Sequence, residues 1–331
     1  MAIDAAHVSI RLRAKQSNIS IFEEHKYCNA ELDKLDTGFH NMYRSLYRFH
    51  AQKTDKKDLI LGKKAPATPS TIPITKCEEL TEKQQVVYEK LIRSKDYFLL
   101  WGPPGTGKTS VLLKNVVSHF IENTEETILL LAYTNRAVDE ICSALESVPG
   151  LKGDSYLRIG SKYAADARYT DKLLSNKMKG ISTRKDLTDL IGGKRVFVGT
   201  LASLLGKTDL FKLKAFDRCI IDEASQILEP MMLGILPYFK HFTLIGDHKQ
   251  LPAVVAQRRS FSKVNHPALQ DIGLKDLRDS YFERLYHLAQ KEGWKHAFSN
   301  LSEQGRCHEE LMAFCSEHFY EGFLDLSLIH I

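Results

Sequence analysis

At 331 residues with 43% hydrophobic content, the chain is long enough for about two globular domains with a sizeable core. Its net charge of +5 permits an anionic partner such as nucleic acid without demanding one. No apolar run approaches the eighteen or so residues of a membrane span, and no signal peptide is expected.

The six cysteines (Cys28, Cys77, Cys142, Cys219, Cys307 and Cys315) lie far apart, with no C-x-x-C pair and no metal-ligand spacing against the histidines. They read as reduced thiols in a cytoplasmic protein.

In chain order, residues 7–13 and 18–22 alternate apolar with polar side chains and suit adjacent antiparallel strands. Leu32, Leu35, Phe39, Met42, Tyr43, Leu46, Tyr47 and Phe49 recur at roughly helical spacing, which predicts a long amphipathic helix from about 30 to 52. The stretch 53–76, with Lys63-Lys64, Pro66, Pro69 and Pro73, is expected as a linker. Apolar segments then follow at 97–101, 127–133, 195–200, 216–221 and 242–246, with helical stretches between them. Such Val/Ile/Leu-rich runs indicate an α/β fold with a parallel sheet covered on both faces. Ligands of such sheets sit at the carboxyl ends of the strands. Residues 150–193 are helical in character and Lys-rich, read as an insertion without a strand.

The segment WGPPGTGKTS, Trp101 to Ser110, matches the phosphate-binding loop G-x-x-x-x-G-K-[ST] at Gly102, Gly107, Lys108 and Thr109. Glycines let successive backbone N–H groups turn inward around an oligophosphate, and the following helix presents its positive end. Lys108 would reach the β- and γ-phosphates and the Thr109 hydroxyl would ligate magnesium. Pro103, Gly105, Thr106 and Ser110 complete the cradle. Downstream, Asp222 and Glu223 close a buried strand. Asp222 would hold magnesium through water, and Glu223 would orient and deprotonate the attacking water. The alternative is an exposed acidic pair at a strand end. Gln250, in Leu244-Ile-Gly-Asp-His-Lys-Gln250, is placed to hydrogen-bond the γ-phosphate or its water, or else marks a turn. Gln84 follows a helix start and carries an amide able to pair with a donor and an acceptor on adenine. The other reading is a plain surface glutamine.

Read together, these pieces resemble the first RecA-like motor domain of superfamily 1B helicases, the group of the nonsense-mediated-decay RNA helicase and the replication helicase-nuclease. The matching wording is LTEKQ from Leu80, GPPGTGKTS, LAYTNRAVDEI from Leu131, VGTLASL from Val198, DEASQILEP from Asp222, GDHKQLP from Gly246 and LSEQGR from Leu301. The resemblance covers residues 80–325. It implies ATP and magnesium as ligands, a single strand of DNA or RNA as partner, and a second RecA-like domain in the same polypeptide. It also implies 5′-to-3′ movement by the intact protein. Thr134, Asn135 and Arg136, with the Gly199-Thr200 turn, would touch the sugar-phosphate backbone, contacts that fix position without reading sequence. Thr134 and Asn135 also suit a helix cap. Arg306 would be an arginine finger on the γ-phosphate, with a surface salt bridge as its alternative. Where relatives carry tyrosine and methionine around the finger, Gly305 and Cys307 stand here.

The same resemblance assigns 1–60 to the last strands of a β-barrel and a helical stalk, 61–79 to a linker, and the insertion at about 150–193 to a helical subdomain over the nucleic acid. Lys172, Lys177, Lys179, Arg184 and Lys185 would add phosphate contacts there, or form a solvated face. Residues 326–331, Leu-Ser-Leu-Ile-His-Ile, equal the translation of a transposase mosaic-end adapter used in sequencing libraries and are expected to be foreign. The alternative is a coincidental apolar tail. A motor with one RecA-like domain has no cleft to close, so little turnover is expected. A free-standing regulatory nucleotide-binding module is the competing reading.

Overall fold

Tyr97–Trp101 and Ile128–Ala132 are buried at every position, which a strand achieves only when both faces of its sheet are covered. The computed structural model describes residues 37–151, 153–255 and 257–327, together with the backbone of Ala2–Ile3 and Val8–Ser9. The chain divides into Met1–Thr37 and Gly38–Ile331. In the first unit, β1 (Ala2–Ile3) pairs antiparallel with β2 (Val8–Ser9). The expected strand at 18–22 lies outside the described residues.

The second unit holds a seven-stranded sheet built from β3 (Tyr97–Trp101), β4 (Ile128–Ala132), β5 (Tyr156–Ile159), β6 (Val196–Thr200), β7 (Phe216–Asp222), β8 (Phe239–Gly246) and β9 (Phe298–Asn300). Its order is β5-β6-β4-β7-β8-β3-β9 and every pairing is parallel. The α/β parallel sheet expected of a RecA-like domain is therefore present. Two strands were not anticipated. β5 runs through the insertion that was expected to lack one, and β9 has three residues. β5 escapes notice because Arg158 interrupts its apolar run. That guanidinium is 1% exposed and is paired with Asp139, which makes its burial tolerable.

Alternation along each strand splits the core in two. Tyr97, Leu99, Leu129 and Leu131 face one layer, while Phe98, Leu100, Ile128 and Leu130 face the other. The second layer is covered by α3 (Glu82–Arg93), α4 (Lys114–Asn123) and α5 (Asn135–Leu145), through Val87, Leu91, Val116, Val117, Val138 and Ile141. The first is covered by α2 (Thr54–Leu61) and α8 (Tyr281–Lys291), through Leu59, Ile60, Tyr281, Phe282 and Leu285. Each such side chain contributes roughly 1.5–3 kcal/mol on burial. Between these lie α6 (Arg184–Gly192) and α7 (Leu201–Leu205), and α9 (Glu309–Phe319) closes the chain order, which begins with α1 (Thr37–His50).

The long helix expected from about 30 begins among the described residues at Thr37. The expected linker is helical in its first third, as α2. That helix is anchored rather than free. Tyr281 donates its hydroxyl to the Ile60 carbonyl at 2.7 Å, and Arg284 donates to the Leu61 carbonyl at 3.1 Å. Arg284 also forms a two-pronged ion pair with Glu229, at 2.7 and 2.8 Å, with both side chains buried. At the far end, β10 (Glu303–Gln304) pairs parallel with β11 (Asp325–Leu326). Residues 328–331 lie outside the described residues. Among the described residues no helix is long and apolar enough to cross a membrane.

Candidate nucleotide site

Five adjacent strands, β4-β7-β8-β3-β9, run in one direction, so their carboxyl ends form one rim. Register puts Ala132 beside Asp222, and Trp101 beside both Gly246 and Asn300. Each strand delivers one motif to that rim: Thr134 after β4, Asp222-Glu223 from β7, Asp247 and Gln250 after β8, the glycine loop after β3, and Arg306 after β9. They line a common cleft of about 1170 Å³.

The loop adopts the geometry its glycines allow. Gly105 and Gly107 take positive φ, +77° and +71°, where a Cβ costs roughly 1–2 kcal/mol. The helix beyond opens with a π-helical turn, Lys108–Leu113, in which the Leu112 N–H donates to the Gly107 carbonyl at 2.9 Å. Wide turns of this kind concentrate at functional sites. Lys108 Nζ donates to the Gly102 carbonyl at 3.1 Å, which folds the ammonium across the mouth of the loop. Thr106 Oγ1 closes the loop onto the Pro103 carbonyl at 2.8 Å. Gly102 and Pro103 support the loop without lining the cleft, whereas Gly105, Thr106, Gly107, Lys108, Thr109 and Ser110 do line it.

Thr109 Oγ1 donates to Asp222 Oδ2 at 2.7 Å, joining the loop to the acidic pair across 113 residues of sequence. Glu223 follows with φ of +54°, which turns its side chain back to Thr134. Its Oε2 accepts from the Thr134 N–H at 3.3 Å and the Thr134 hydroxyl at 3.0 Å. Burial pushes the Glu223 carboxyl above its ordinary range, and the two Thr134 bonds oppose that shift. The Thr134 oxygen also accepts from the Ala137 N–H at 3.1 Å and so caps α5, the other role foreseen for it.

Gln84 is engaged at both ends of its amide. Its Oε1 accepts from the Thr81 N–H at 3.2 Å, completing a capping box, and its Nε2 donates to the Thr106 carbonyl at 3.1 Å. It is 8% exposed, so it is not the surface glutamine of the alternative reading. The Arg306 segment docks on the loop itself. The Gly305 N–H donates to the Gly105 carbonyl at 3.1 Å, and a Cβ at Gly105 would stand 2.6 Å from Arg306 Cβ. Gln304 Oε1 holds the Arg306 and Cys307 N–H groups, each at 2.9 Å.

The residues expected on nucleic acid divide. Thr134 and Arg136 line the cleft, with Arg136 exposed and paired loosely with Glu140 at 3.4 Å. Asn135 begins α5 just outside the lining. Gly199 and Thr200 end β6 on the same rim but are buried. A Cβ at Gly199 would meet the Ile159 carbonyl at 2.7 Å, and the Thr200 oxygen accepts from the Ser203 N–H to cap α7. Among the insertion cations, Lys172 is 6% exposed, donates to the Gly153 carbonyl and sits beside Glu146, so it is spent internally and not offered to a strand. Lys179, Arg184 and Lys185 are exposed.

Site residues not singled out from sequence are Thr81 with Glu303, which hydrogen-bond to each other, and Gln304, Asp247, Trp101 and Tyr320. The T-x-x-Q spacing from Thr81 could have announced the capping box. Nothing local announces Tyr320, whose partner is 73 residues away.

A protein-family model described as "AAA domain" matches residues 79–189 and 168–258. The human DNA replication ATP-dependent helicase/nuclease DNA2 is 31% identical over 249 residues, 74% of this chain and 21% of that protein. The Saccharomyces cerevisiae protein of the same description is 35% identical over 185 residues, 55% of this chain and 11% of that one. The chain thus spans about a fifth of the length of the human relative. Among solved structures, the UvsW helicase from bacteriophage T4 aligns with a TM-score of 0.38 at 16% identity, covering 68% of this chain and 67% of that one.

Proposed function

The chain belongs to the AAA-domain family of superfamily 1 helicase motors, and we propose that it forms the Mg-ATP-binding half of a 5′-to-3′ helicase motor acting on single-stranded nucleic acid. The observation that carries this reading is the Thr109–Asp222 hydrogen bond at 2.7 Å, with Glu223, Gln250 and Arg306 around the same cleft.

The residues fit the ligand. Two positive-φ glycines let successive backbone N–H groups turn toward an oligophosphate, and Lys108 is at hand to neutralise it. Thr109 and Asp222 offer a hydroxyl and a carboxylate oxygen, hard donors of the kind magnesium takes with water and phosphate completing its shell. The ion would neutralise charge on the phosphates. Glu223 would position the attacking water and accept its proton, with its raised affinity for protons favouring that transfer. Gln250 and Arg306 would bond the γ-phosphate. Gln84, already tied to the loop at Thr106, would present its free N–H and lone pair to adenine.

Exposed Arg136 beside Thr134 would receive strand phosphates next to the same cleft, so that strand and nucleotide share one element. Gly199 and Thr200 would contribute through the turn they shape. A second motor domain in the same polypeptide would complete the cleft and supply the other half of the strand track. The five free cysteines among the described residues suit a cytoplasmic setting.

The test is binding of a fluorescent single-stranded oligonucleotide with and without Mg-ATPγS, alongside ATP turnover. Strand binding that responds to nucleotide, with negligible turnover until a second motor domain is supplied, agrees with the proposal. Absence of strand binding at low salt contradicts it.

A further inference from the structure

Asp247 is 2% exposed, yet both of its carboxylate oxygens are fully subscribed. Oδ1 accepts from the Trp101 indole at 2.9 Å and from the Lys249 N–H at 3.1 Å. Oδ2 accepts from the Gln250 amide at 2.7 Å and from the Tyr320 hydroxyl at 2.7 Å. One buried carboxylate therefore ties together the residue before the phosphate loop, the Gln250 turn, and the segment beyond α9.

We infer that Tyr320 is a positioning residue for Gln250: its hydroxyl keeps Asp247 Oδ2 satisfied when the glutamine amide leaves that oxygen for the γ-phosphate. This rests on Gln250 sensing the γ-phosphate, as proposed above. The physical reason is the cost of an unpaired buried carboxylate oxygen. A hydrogen bond to a charged group is stronger than one between neutral groups, and leaving its acceptor empty costs the desolvation as well. Were Gln250 the only donor on Oδ2, turning toward the nucleotide would strand that oxygen. With Tyr320 in place the oxygen retains a partner, and the exposed Gln250 exchanges one acceptor for another.

Tyr320 is suited to this task. It is 6% exposed, and its ring and that of Phe323 pack against Trp101, at centroid distances of 6.1 and 4.7 Å. The turn holding it is pinned by Ser316, whose Oγ accepts from the Leu324 N–H at 3.0 Å. Burial and the Asp247 bond keep the phenol protonated, so it stays a donor.

The test compares the affinities of Mg-ATPγS and Mg-ADP by calorimetry for the full chain, Tyr320→Phe, Gln250→Ala and the double variant. Tyr320→Phe is expected to weaken Mg-ATPγS by about five- to tenfold and to leave Mg-ADP unchanged, because ADP never calls Gln250 away. In the Gln250→Ala background the Tyr320 substitution should have no further effect on the ratio. If Gln250→Ala alone leaves the ratio intact, the γ-phosphate reading fails. If Gln250→Ala lowers the ratio and Tyr320→Phe does not, or if Tyr320→Phe weakens both nucleotides equally, Tyr320 is structural only and the inference is overturned.

Discussion

Thr134 donates twice to one oxygen of Glu223, from its N–H at 3.3 Å and its hydroxyl at 3.0 Å. The same hydroxyl oxygen accepts from the Ala137 N–H and starts α5. The carboxylate proposed to handle water and the helix beginning at Asn135 therefore share a single side chain. Movement of the Thr134 turn, proposed to face the strand, would be felt by Glu223.

Replacing Thr134 by valine keeps the shape and the N–H but removes both hydroxyl roles. Loss of the cap is expected to lower stability by about 1 kcal/mol. The Glu223 carboxyl should move further above its ordinary range, because a contact that favours its charged form is lost. Serine at 134 should restore both properties. Chemical denaturation and a pH titration of Glu223 by NMR measure the two effects.

Glu223 itself carries a pH signature. Its folded-state proton affinity is raised by burial, so the folded chain binds the proton more tightly than the unfolded one. The stability associated with that proton is present below the ordinary carboxyl range and is lost as pH rises through the raised value. Glu223→Gln removes the buried charge. It should therefore be more stable than the parent at neutral pH, with the gap closing as pH falls toward 4, the usual carboxyl range. Thermal melts across pH check the sign, and a gap that widens on acidification would oppose it.

Gly105 is held at φ +77° with Arg306 Cβ 2.6 Å from where its own Cβ would stand. Gly105→Ala is expected to cost roughly 1–2 kcal/mol from the backbone alone and to push the Arg306 segment off the loop. Urea denaturation should show the loss. Protease cleavage after Arg306 should accelerate in the variant.

Arg284 and Glu229 form a bidentate pair with side-chain exposures of 0% and 9%. Arg284→Met should destabilise by about 3–5 kcal/mol, because it leaves Glu229 buried and unpaired. Arg284→Met with Glu229→Leu should recover much of that loss. The comparison of single and double variants by denaturation separates the stranded charge from the lost packing.

What could be read in the sequence was whatever lies within a few residues of its partner. Gly102 to Ser110 is a contiguous signal, and the apolar runs ending at Asp222 and Gly246 marked central strands correctly. Arg158 hid β5, because a buried arginine is explained only by Asp139, 19 residues earlier and on another element. α2 reads as linker in the sequence because a charged stretch does not reveal that Tyr281 and Arg284, more than 200 residues on, bind its last carbonyls. Asp247 could be seen as a residue of its motif. Its union of Trp101, Gln250 and Tyr320 exists only after the sheet has ordered β8 beside β3 and the segment after α9 has packed on Trp101.

The most direct test of the nucleotide site is titration calorimetry of Mg-ATP into the purified chain and into Lys108→Ala. The account predicts measurable binding by the parent and at least about a tenfold loss in the variant, the scale of one charge-assisted contact to phosphate. Absence of binding by the parent, or equal binding by both proteins, would contradict it.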